Sequence, residues 1–148
     1  MSFAVDVKAT PHLEGELRKG LGALPATDRS CVTVATATKL LGSVAIDAAL
    51  KATLPNAARW DYLIGQKRTG GAFLHWIEVH PASSTGNISE IEAKLTWLAA
   101  WMRTTPLGAY PRQIAWIACG KSAFNSRHPA LRSLANRGLR YAGGHLTI

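Results

Sequence analysis

The chain has 148 residues, 47% of them hydrophobic, and a formal net charge of +8. This length and composition predict a single domain over residues 1–148, and they exclude a disordered chain and a membrane span of roughly 20 apolar residues. The N-terminus lacks a basic head before an apolar core, so we expect no secretory signal, a cytoplasmic location and no membrane partner.

The first third of the chain gives weak signals for secondary structure. Residues 1–11 read as a loose end or a short strand, and residues 12–24 as a helix weakened by three glycines. We therefore expect residues 1–30 to form a peripheral N-terminal extension. Residues 31–37 alternate apolar residues with threonine, which favours a strand, whereas apolar residues in 39–54 recur at nearly helical spacing.

The two cysteines, Cys31 and Cys119, each lie in an apolar, strand-like run. They form no Cys-x-x-Cys pair, so the ligand spacing of a zinc site is lacking. In a reducing cytoplasm, the expected state is two buried free thiols.

Residues 59–80 predict a β-hairpin. Aromatic and β-branched residues favour strands over 59–66 and 72–80, and the glycines of the turn at 68–71 supply the positive φ angles that a tight turn needs. A two-residue loop, Thr69-Gly70, or a four-residue loop, Arg68–Gly71, puts Asp61 directly opposite Glu78. A loop centred one residue later puts Asp61 opposite His80 and diagonal to Glu78.

In both registers Asp61, Glu78 and His80 share one face of the hairpin, because side chains on a strand repeat every two residues. Two carboxylates that face each other in an apolar setting need a bound proton or a cation, and a hard divalent ion with oxygen ligands fits. The alternative is that Asp61 caps the start of its strand and Glu78 pairs with an arginine.

The second half of the chain gives clearer signals. A helix begins at residue 87 or 89, with two competing capping boxes, and runs to about Met102. Its predicted buried stripe is Ile88, Ile91, Leu95, Leu98 and Met102. On the neighbouring stripe, Glu90 and Lys94 are spaced to pair. A buried strand over 113–119, a loop over 120–127, a helix over 128–137 and a short strand over 139–142 follow.

This order predicts an α/β sandwich of two or three layers, with a mixed central sheet, an antiparallel hairpin and crossover helices. Asp61, followed by Glu78-Val79-His80 on the next strand, then a helix and a buried strand, resembles the PD-(D/E)xK phosphodiesterase superfamily. This superfamily includes the restriction endonucleases and Holliday-junction resolvases. The resemblance covers about residues 38–142 and implies a restriction endonuclease-like fold and a metal-dependent nuclease.

Carried onto this chain, the resemblance assigns Asp61 and Glu78 to a Mg²⁺ (or Mn²⁺) ion, with the Val79 carbonyl completing the site. The lysine of the motif is replaced by His80, which would act as a base or a metal ligand. Lys94 from the following helix is a candidate replacement for that lysine, and Lys121 a weaker one. The family also has a strand before the Asp-bearing strand, for which only residues 55–59 remain here.

All of the net charge arises after Glu92, because the chain contains no acidic residue beyond that point. The basic residues there are Lys94, Arg103, Arg112, Lys121, Arg127, Arg132, Arg137 and Arg140. They predict a polyanionic partner, with Lys121, Arg127, Arg132 and Arg137 as nucleic-acid contacts and DNA favoured over RNA. Three hypotheses follow: a Mg²⁺-dependent nuclease, a non-catalytic nucleic-acid-binding module, and an interaction subunit or homodimer with an acidic protein partner, in which Trp97 and Trp101 form the interface.

Overall fold

The computed structural model describes residues 2–119 and 127–148, which contain both helices and strands. The helices are α1 (Phe3–Ala9), α2 (Ala26–Arg29), α3 (Ile46–Leu50), α4 (Thr85–Met102) and α5 (Pro129–Asn136), with a 3-10 turn at Pro106–Ala109. The strands are β1 (Val32–Thr33), β2 (Lys39–Ala45), β3 (Tyr62–Arg68), β4 (Gly71–Val79), β5 (Arg112–Ile117), β6 (Leu139–Tyr141) and β7 (Leu146–Thr147).

The central sheet has five strands in the order β2-β3-β4-β5-β6. Strands β2, β3 and β4 form an antiparallel meander, and β5 and β6 lie parallel to β4, reached through α4 and α5. A separate parallel pair joins β1 to β7. The predicted mixed α/β sandwich, with its hairpin and crossover helices, is confirmed.

The hairpin has the two-residue loop of the first of the two registers considered from the sequence. Arg68 pairs with Gly71 and Tyr62 with Ile77, which leaves Thr69-Gly70 as the loop. Gly71 has a φ of 120°, a backbone conformation that favours glycine. Since the register is continuous, Asp61, which precedes Tyr62, is level with Glu78.

The two faces of the sheet are covered differently. On one face, Leu74, Trp76 and Trp116 pack with the buried residues of the helices, including those of α4. On the other face, Ile64, Ile77 and Ile117 pack with Leu24, Cys31 and Leu146 from the segments around β1 and β7. Helices α1, α3, α4 and α5 therefore form one layer, and the N-terminal loops, α2 and the β1–β7 pair form the opposite one.

The N-terminal segment differs from its prediction. Instead of a loose end, Phe3–Ala9 is a helix whose first turn is capped by Ser2, and Phe3 and Val7 are buried in the main core. Residues 12–24 form turns rather than a helix, with a backbone bridge from Arg18 to Ser43. Because Phe3 and Val7 contribute to the core, residues 1–30 are not a peripheral extension.

The predicted helix over 39–54 was also wrong, because β2 occupies its first half and the short α3 its second. A register irregularity falls between Leu40 and Gly42, and Gly42 has a φ of 131°. Such a bulge breaks the period of two, so the apolar positions imitate helical spacing. The strand predicted over 31–37 is reduced to Val32–Thr33.

The later elements agree with their predictions. Helix α4 buries all five residues of the predicted stripe, although Ser84 and Asn87 form its capping box rather than either predicted pair. Strands β5 and β6 and helix α5 occupy the predicted segments, and Gly138, with a φ of 88°, follows α5. Residues 120–126 of the predicted loop lie outside the described residues. In the described part of the chain, no helix combines the length and apolar character of a membrane span.

The cysteines are not free thiols, because Cys31 and Cys119 form a disulfide. They are 88 residues apart in sequence, and their Cα atoms are 5.8 Å apart. Folding brings the end of β5 against the segment that precedes β1, a proximity that the cysteine spacing alone does not reveal. This finding corrects the prediction of two isolated buried thiols.

Candidate functional site

The candidate site lies at the edge of the sheet where β4 and β5 end and β3 begins. Asp61 precedes β3, Glu78 is the second-last residue of β4, and Lys94 reaches them from the middle of α4. Glu78 shares the face of Trp76, which is the face covered by helices. Three of the predicted site residues, from two strands and one helix, therefore meet at one point.

Asp61 and Glu78 hold each other through backbone groups. The Asp61 N–H donates to Glu78 Oε1 at 3.1 Å, and the Val79 N–H donates to Asp61 Oδ2 at 3.0 Å. These reciprocal bonds continue the hairpin beyond the end of its regular ladder. They fix both carboxyl groups in place before any ligand arrives, which is the preorganisation that a binding site needs.

Burial controls the protonation of both acids. Glu78 is 0% exposed. Its pKa is raised well above the usual value, first by burial and then by the negative charge of Asp61. The pKa of Asp61 is also raised, mainly by burial, while the nearby Lys94 ammonium opposes that rise. The expected repulsion between two facing carboxylates is thus present, and positive charge relieves part of it.

Lys94 supplies that positive charge. Its Nζ atom donates to Glu78 Oε2 at 2.7 Å and to the Arg59 carbonyl at 3.1 Å. The predicted pairing of Lys94 with Glu90 is therefore replaced by a pairing with Glu78. The physical reason is that Glu78 is buried and gains more from a cation than the exposed Glu90 does.

His80 sits beside this group and is held from three sides. Its Nε2 atom lies 2.6 Å from Glu90 Oε2, and its Nδ1 atom lies 3.6 Å from Glu78 Oε2. Its carbonyl accepts a hydrogen bond from Trp116 Nε1 at 2.8 Å. His80 therefore shares the face of Asp61 and Glu78, as both registers required, and its ring lies between two glutamates.

Sequence reasoning missed the groups that support the site. Arg59 forms an ion pair with Asp47 at 2.9 Å and donates to the Leu54 carbonyl at 2.5 Å, which fixes the carbonyl that Lys94 uses. Asp47 was hidden inside the predicted helix over 39–54. Asp28 accepts a hydrogen bond from the Tyr62 hydroxyl. No local sequence pattern predicts that contact, because the two residues lie in distant segments of the chain.

Two cavities open at this edge of the sheet. The smaller, about 150 Å³, is lined by Asp61 together with Asp47, Tyr62 and small apolar residues. The larger, about 330 Å³, is lined by Thr27, Asp28, Val79, His80, Pro81 and Cys119. Asp61 and His80 thus border spaces through which an ion or a small group can reach the site.

The predicted nucleic-acid contacts are not gathered at the site. Arg127 precedes α5 and Arg132 lies within it, and both are exposed. Arg137 ends α5 and donates to the Thr96 hydroxyl at 2.8 Å. Because α5 spans about 12 Å at 1.5 Å per residue, Arg127 and Arg137 lie at opposite ends of the helix. Lys121 lies outside the described residues.

The donor set suits a hard divalent cation in part. Asp61 and Glu78 offer buried carboxylate oxygens, the ligands that Mg²⁺ and Mn²⁺ prefer. Among residues 2–119 and 127–148, no three His, Cys, Asp or Glu side chains converge as a metal-ligand group. An ion held by these two acids would therefore take its remaining ligands from water, backbone or substrate.

The chain thus combines a preorganised pair of acids, a lysine and a histidine at one edge of an α/β sheet. Comparisons with protein-family models, curated proteins and solved structures found no match to it. The function of the chain is therefore inferred from the geometry and chemistry of this site.

Proposed function

We propose that the chain is a metal-dependent phosphodiesterase acting on nucleic acid. The observation that carries the proposal is the meeting of Asp61, Glu78 and Lys94, from two neighbouring strands and the following helix. Two acids and a lysine in contact are the groups that the PD-(D/E)xK resemblance implies, with the lysine supplied by α4 instead of β4.

The order of elements adds support. The resemblance implies a first helix, a strand, the Asp-bearing strand, the Glu-bearing strand, a helix and a further strand. Here α1, β2, β3, β4, α4 and β5 follow one another in that order, with α2, β1 and α3 as additions. Strand β2 occupies the place for which the sequence offered only residues 55–59. Fold analogy alone does not assign a reaction, so the site must carry the proposal.

In the proposed reaction, Asp61 and Glu78 would hold a Mg²⁺ or Mn²⁺ ion. Such an ion would polarise the phosphate and make water a better nucleophile. The Lys94 ammonium, fixed by the Arg59 carbonyl, stabilises negative charge on the phosphate oxygens. His80, oriented by Glu90, accepts a proton from the attacking water. Exposed arginines around α5 attract the phosphate backbone, with DNA favoured.

The test is cleavage of labelled single- and double-stranded DNA and RNA with Mg²⁺ and with Mn²⁺. Asp61→Asn and Glu78→Gln are expected to lower the rate at least about a hundredfold, the scale of losing a group that stabilises transition-state charge. Glu92→Gln, which changes an exposed acid on α4, is the matched control and keeps the wild-type rate. Equal trace activity in wild type and Asp61→Asn would exclude the reaction.

A non-catalytic nucleic-acid-binding module is the second candidate. It is favoured by the 2.7 Å contact of Lys94 with Glu78, since the ammonium already neutralises the buried acid without any metal. This candidate predicts no heat of Mn²⁺ binding in calorimetry and nucleic-acid affinity that is the same in Asp61→Asn. Metal binding that Asp61→Asn abolishes would instead favour the enzyme.

The proposed interaction surface at Trp97 and Trp101 receives no separate support. Their rings stack with centroids 5.4 Å apart, and Trp101 meets the buried Trp76 edge-on at 6.0 Å. Both half-buried rings pack against the main core. A homodimer through this stripe stays a prediction, which the oligomeric state at micromolar concentration tests.

A further inference from the structure

The disulfide joins two segments that border the larger cavity. Cys31 lies between α2 and β1, and Cys119 follows the end of β5. The Cα separation of 5.8 Å is in the usual range for a bridge. Both sulfur atoms also lie near the Thr27 carbonyl, at 3.6 and 3.9 Å. The bond thus connects the cavity wall formed by α2 to the wall formed by the end of β5.

The two cysteine residues of the bridge differ in their exposure to solvent. Cys31 is 3% exposed and belongs to the core on the second face of the sheet, whereas Cys119 is an exposed residue. Thiol–disulfide exchange begins when a thiolate attacks a sulfur that it can reach, and the other sulfur leaves. On this difference in exposure, an external thiolate is expected to attack Cys119 Sγ, with Cys31 Sγ as the leaving group.

We propose that Cys31 and Cys119 form a reversible exchange site for small-molecule thiols, with Cys119 as the attacked sulfur. In the first step, the thiolate sulfur bonds to Cys119 Sγ, the disulfide breaks, and its electron pair passes to Cys31 Sγ, which then takes a proton. A second thiolate attacks the thiol-derived sulfur of the mixed disulfide and releases Cys119. Two thiols are oxidised to one disulfide, and the protein disulfide is reduced.

Exchange at this site changes the cavity beside His80. Thr27 and Asp28 line that cavity together with Cys119. Once the bond is broken, the α2 wall keeps the hydrogen bond from the Tyr62 hydroxyl to Asp28 and the backbone bond from Leu146 to Cys31. The wall then loses its covalent tie to β5, so reduction loosens the cavity without unfolding the sheet. This inference does not depend on the proposed phosphodiesterase activity.

The experiment uses the full chain and reduced glutathione. After incubation, free thiols are trapped with iodoacetamide and the modified residues are identified by mass spectrometry. We expect glutathione on Cys119 and the alkyl group on Cys31. Two single variants provide the matched comparison: the Cys119 thiol in Cys31→Ser is expected to react at least about tenfold faster than the Cys31 thiol in Cys119→Ser, because reactivity follows exposure.

Hydrogen exchange then tests the consequence. On reduction, and in the double variant Cys31→Ser/Cys119→Ser, backbone amides of residues 26–31 are expected to exchange at least about tenfold faster, while those of β3 and β4 keep their rates. Glutathione found on Cys31, a native bond inert to glutathione, or unchanged exchange in 26–31 would each overturn the proposal. Faster exchange throughout β3 and β4 would also overturn the proposal, because the disulfide would then stabilise the whole fold rather than the cavity wall alone.

Discussion

At the scale of single residues, Lys94 is the group whose removal has the largest predicted cost. Glu78 is 0% exposed, and its nearest cation is the Lys94 ammonium at 2.7 Å. Lys94→Met removes the charge and keeps most of the side-chain volume, which leaves a buried acid without its partner. We expect the free energy of unfolding at pH 7, measured with urea, to fall by about 3–5 kcal/mol.

The double variant Lys94→Met/Glu78→Gln separates this effect from lost packing. With both charges removed, most of the lost stability is expected to return, because replacing a buried ion pair by neutral groups is often nearly neutral. Lys51→Met, at an exposed position, is the control and shifts stability by less than about 0.5 kcal/mol. A loss under about 1 kcal/mol in Lys94→Met would contradict the assigned ion pair.

His75 provides a pH dependence of defined sign. Its Nε2 atom lies 2.8 Å from Gln66 Oε1, and burial, followed by the charge of Arg68, lowers its pKa to about 4. The unfolded chain binds a proton on this ring below pH 6.5, whereas the folded chain does so only near pH 4. The contribution of His75 to the free energy of unfolding is therefore complete above pH 6.5 and is lost as the pH falls towards 4. The full contribution amounts to about 3 kcal/mol.

The raised pKa of Glu78 changes stability with pH in the direction opposite to that of His75. Because Glu78 is present in both proteins, the difference between wild type and His75→Gln isolates the contribution of His75. The urea midpoint of unfolding is measured at pH 4, 5, 6 and 7. As the pH is lowered from 7 to 4, the midpoint is expected to fall less steeply in His75→Gln than in wild type. His12→Asn is the matched control, since His12 is exposed and asparagine tolerates its φ of 71°. Parallel curves for wild type and His75→Gln would show that the ring titrates normally.

At the scale of elements, the packing of α1 on β3 depends on one glycine. A Cβ atom on Gly65 would lie 2.7 Å from the Phe3 ring, closer than side-chain atoms tolerate. Gly65→Ala is expected to lower the free energy of unfolding by about 1–3 kcal/mol through overpacking. Gly70→Ala, where nothing lies within 4 Å, is the control. Partial recovery in Gly65→Ala/Phe3→Leu would identify Phe3 as the cause.

The elements also show which local signals predict structure. The hairpin was predictable up to a choice between two registers, and both registers place Asp61, Glu78 and His80 on one face; the structure selects the register that pairs Asp61 with Glu78. Helix α4 was predictable from its five buried residues. Strand β2 was not, because the bulge at Gly42 disrupts the alternation, and α1 was overlooked although Ser2 caps it and Phe3 and Val7 are spaced one turn apart.

The parts of the site that sequence could not supply are contacts between distant segments. Nothing near Lys94 indicates whether it pairs with Glu90, four residues away, or with Glu78 on β4. That choice depends on burial, which only the assembled sheet and helix determine. The bridge from Cys31 to Cys119 is a similar case, since it follows from the β1–β7 pair and the end of β5 meeting on the second face.

At the scale of the whole molecule, charge is distributed unequally along the chain. All of the net +8 arises after Glu92, and the structure uses Lys94 internally while Arg127, Arg132 and Arg140 are exposed. Long-range attraction of a polyanion depends on an excess of exposed positive charge on one surface. The surface around α5 is therefore the part of the described molecule where we expect salt-dependent contacts with a nucleic-acid backbone.

Arg132→Ala tests that expectation in an Asp61→Asn background, where cleavage cannot remove the probe. Each lost phosphate contact on duplex DNA reduces the magnitude of the slope of log affinity against log salt by about 0.9. Arg132→Ala is therefore expected to reduce it by about 0.9, and Arg127→Ala/Arg132→Ala by about twice that amount. Fluorescence anisotropy from low to moderate salt measures both slopes. Lys51→Ala removes an exposed charge from residues 1–92, which contain equal numbers of basic and acidic residues, and is expected to leave the slope unchanged. An equal loss in Lys51→Ala would mean that net charge, rather than the α5 surface, governs binding.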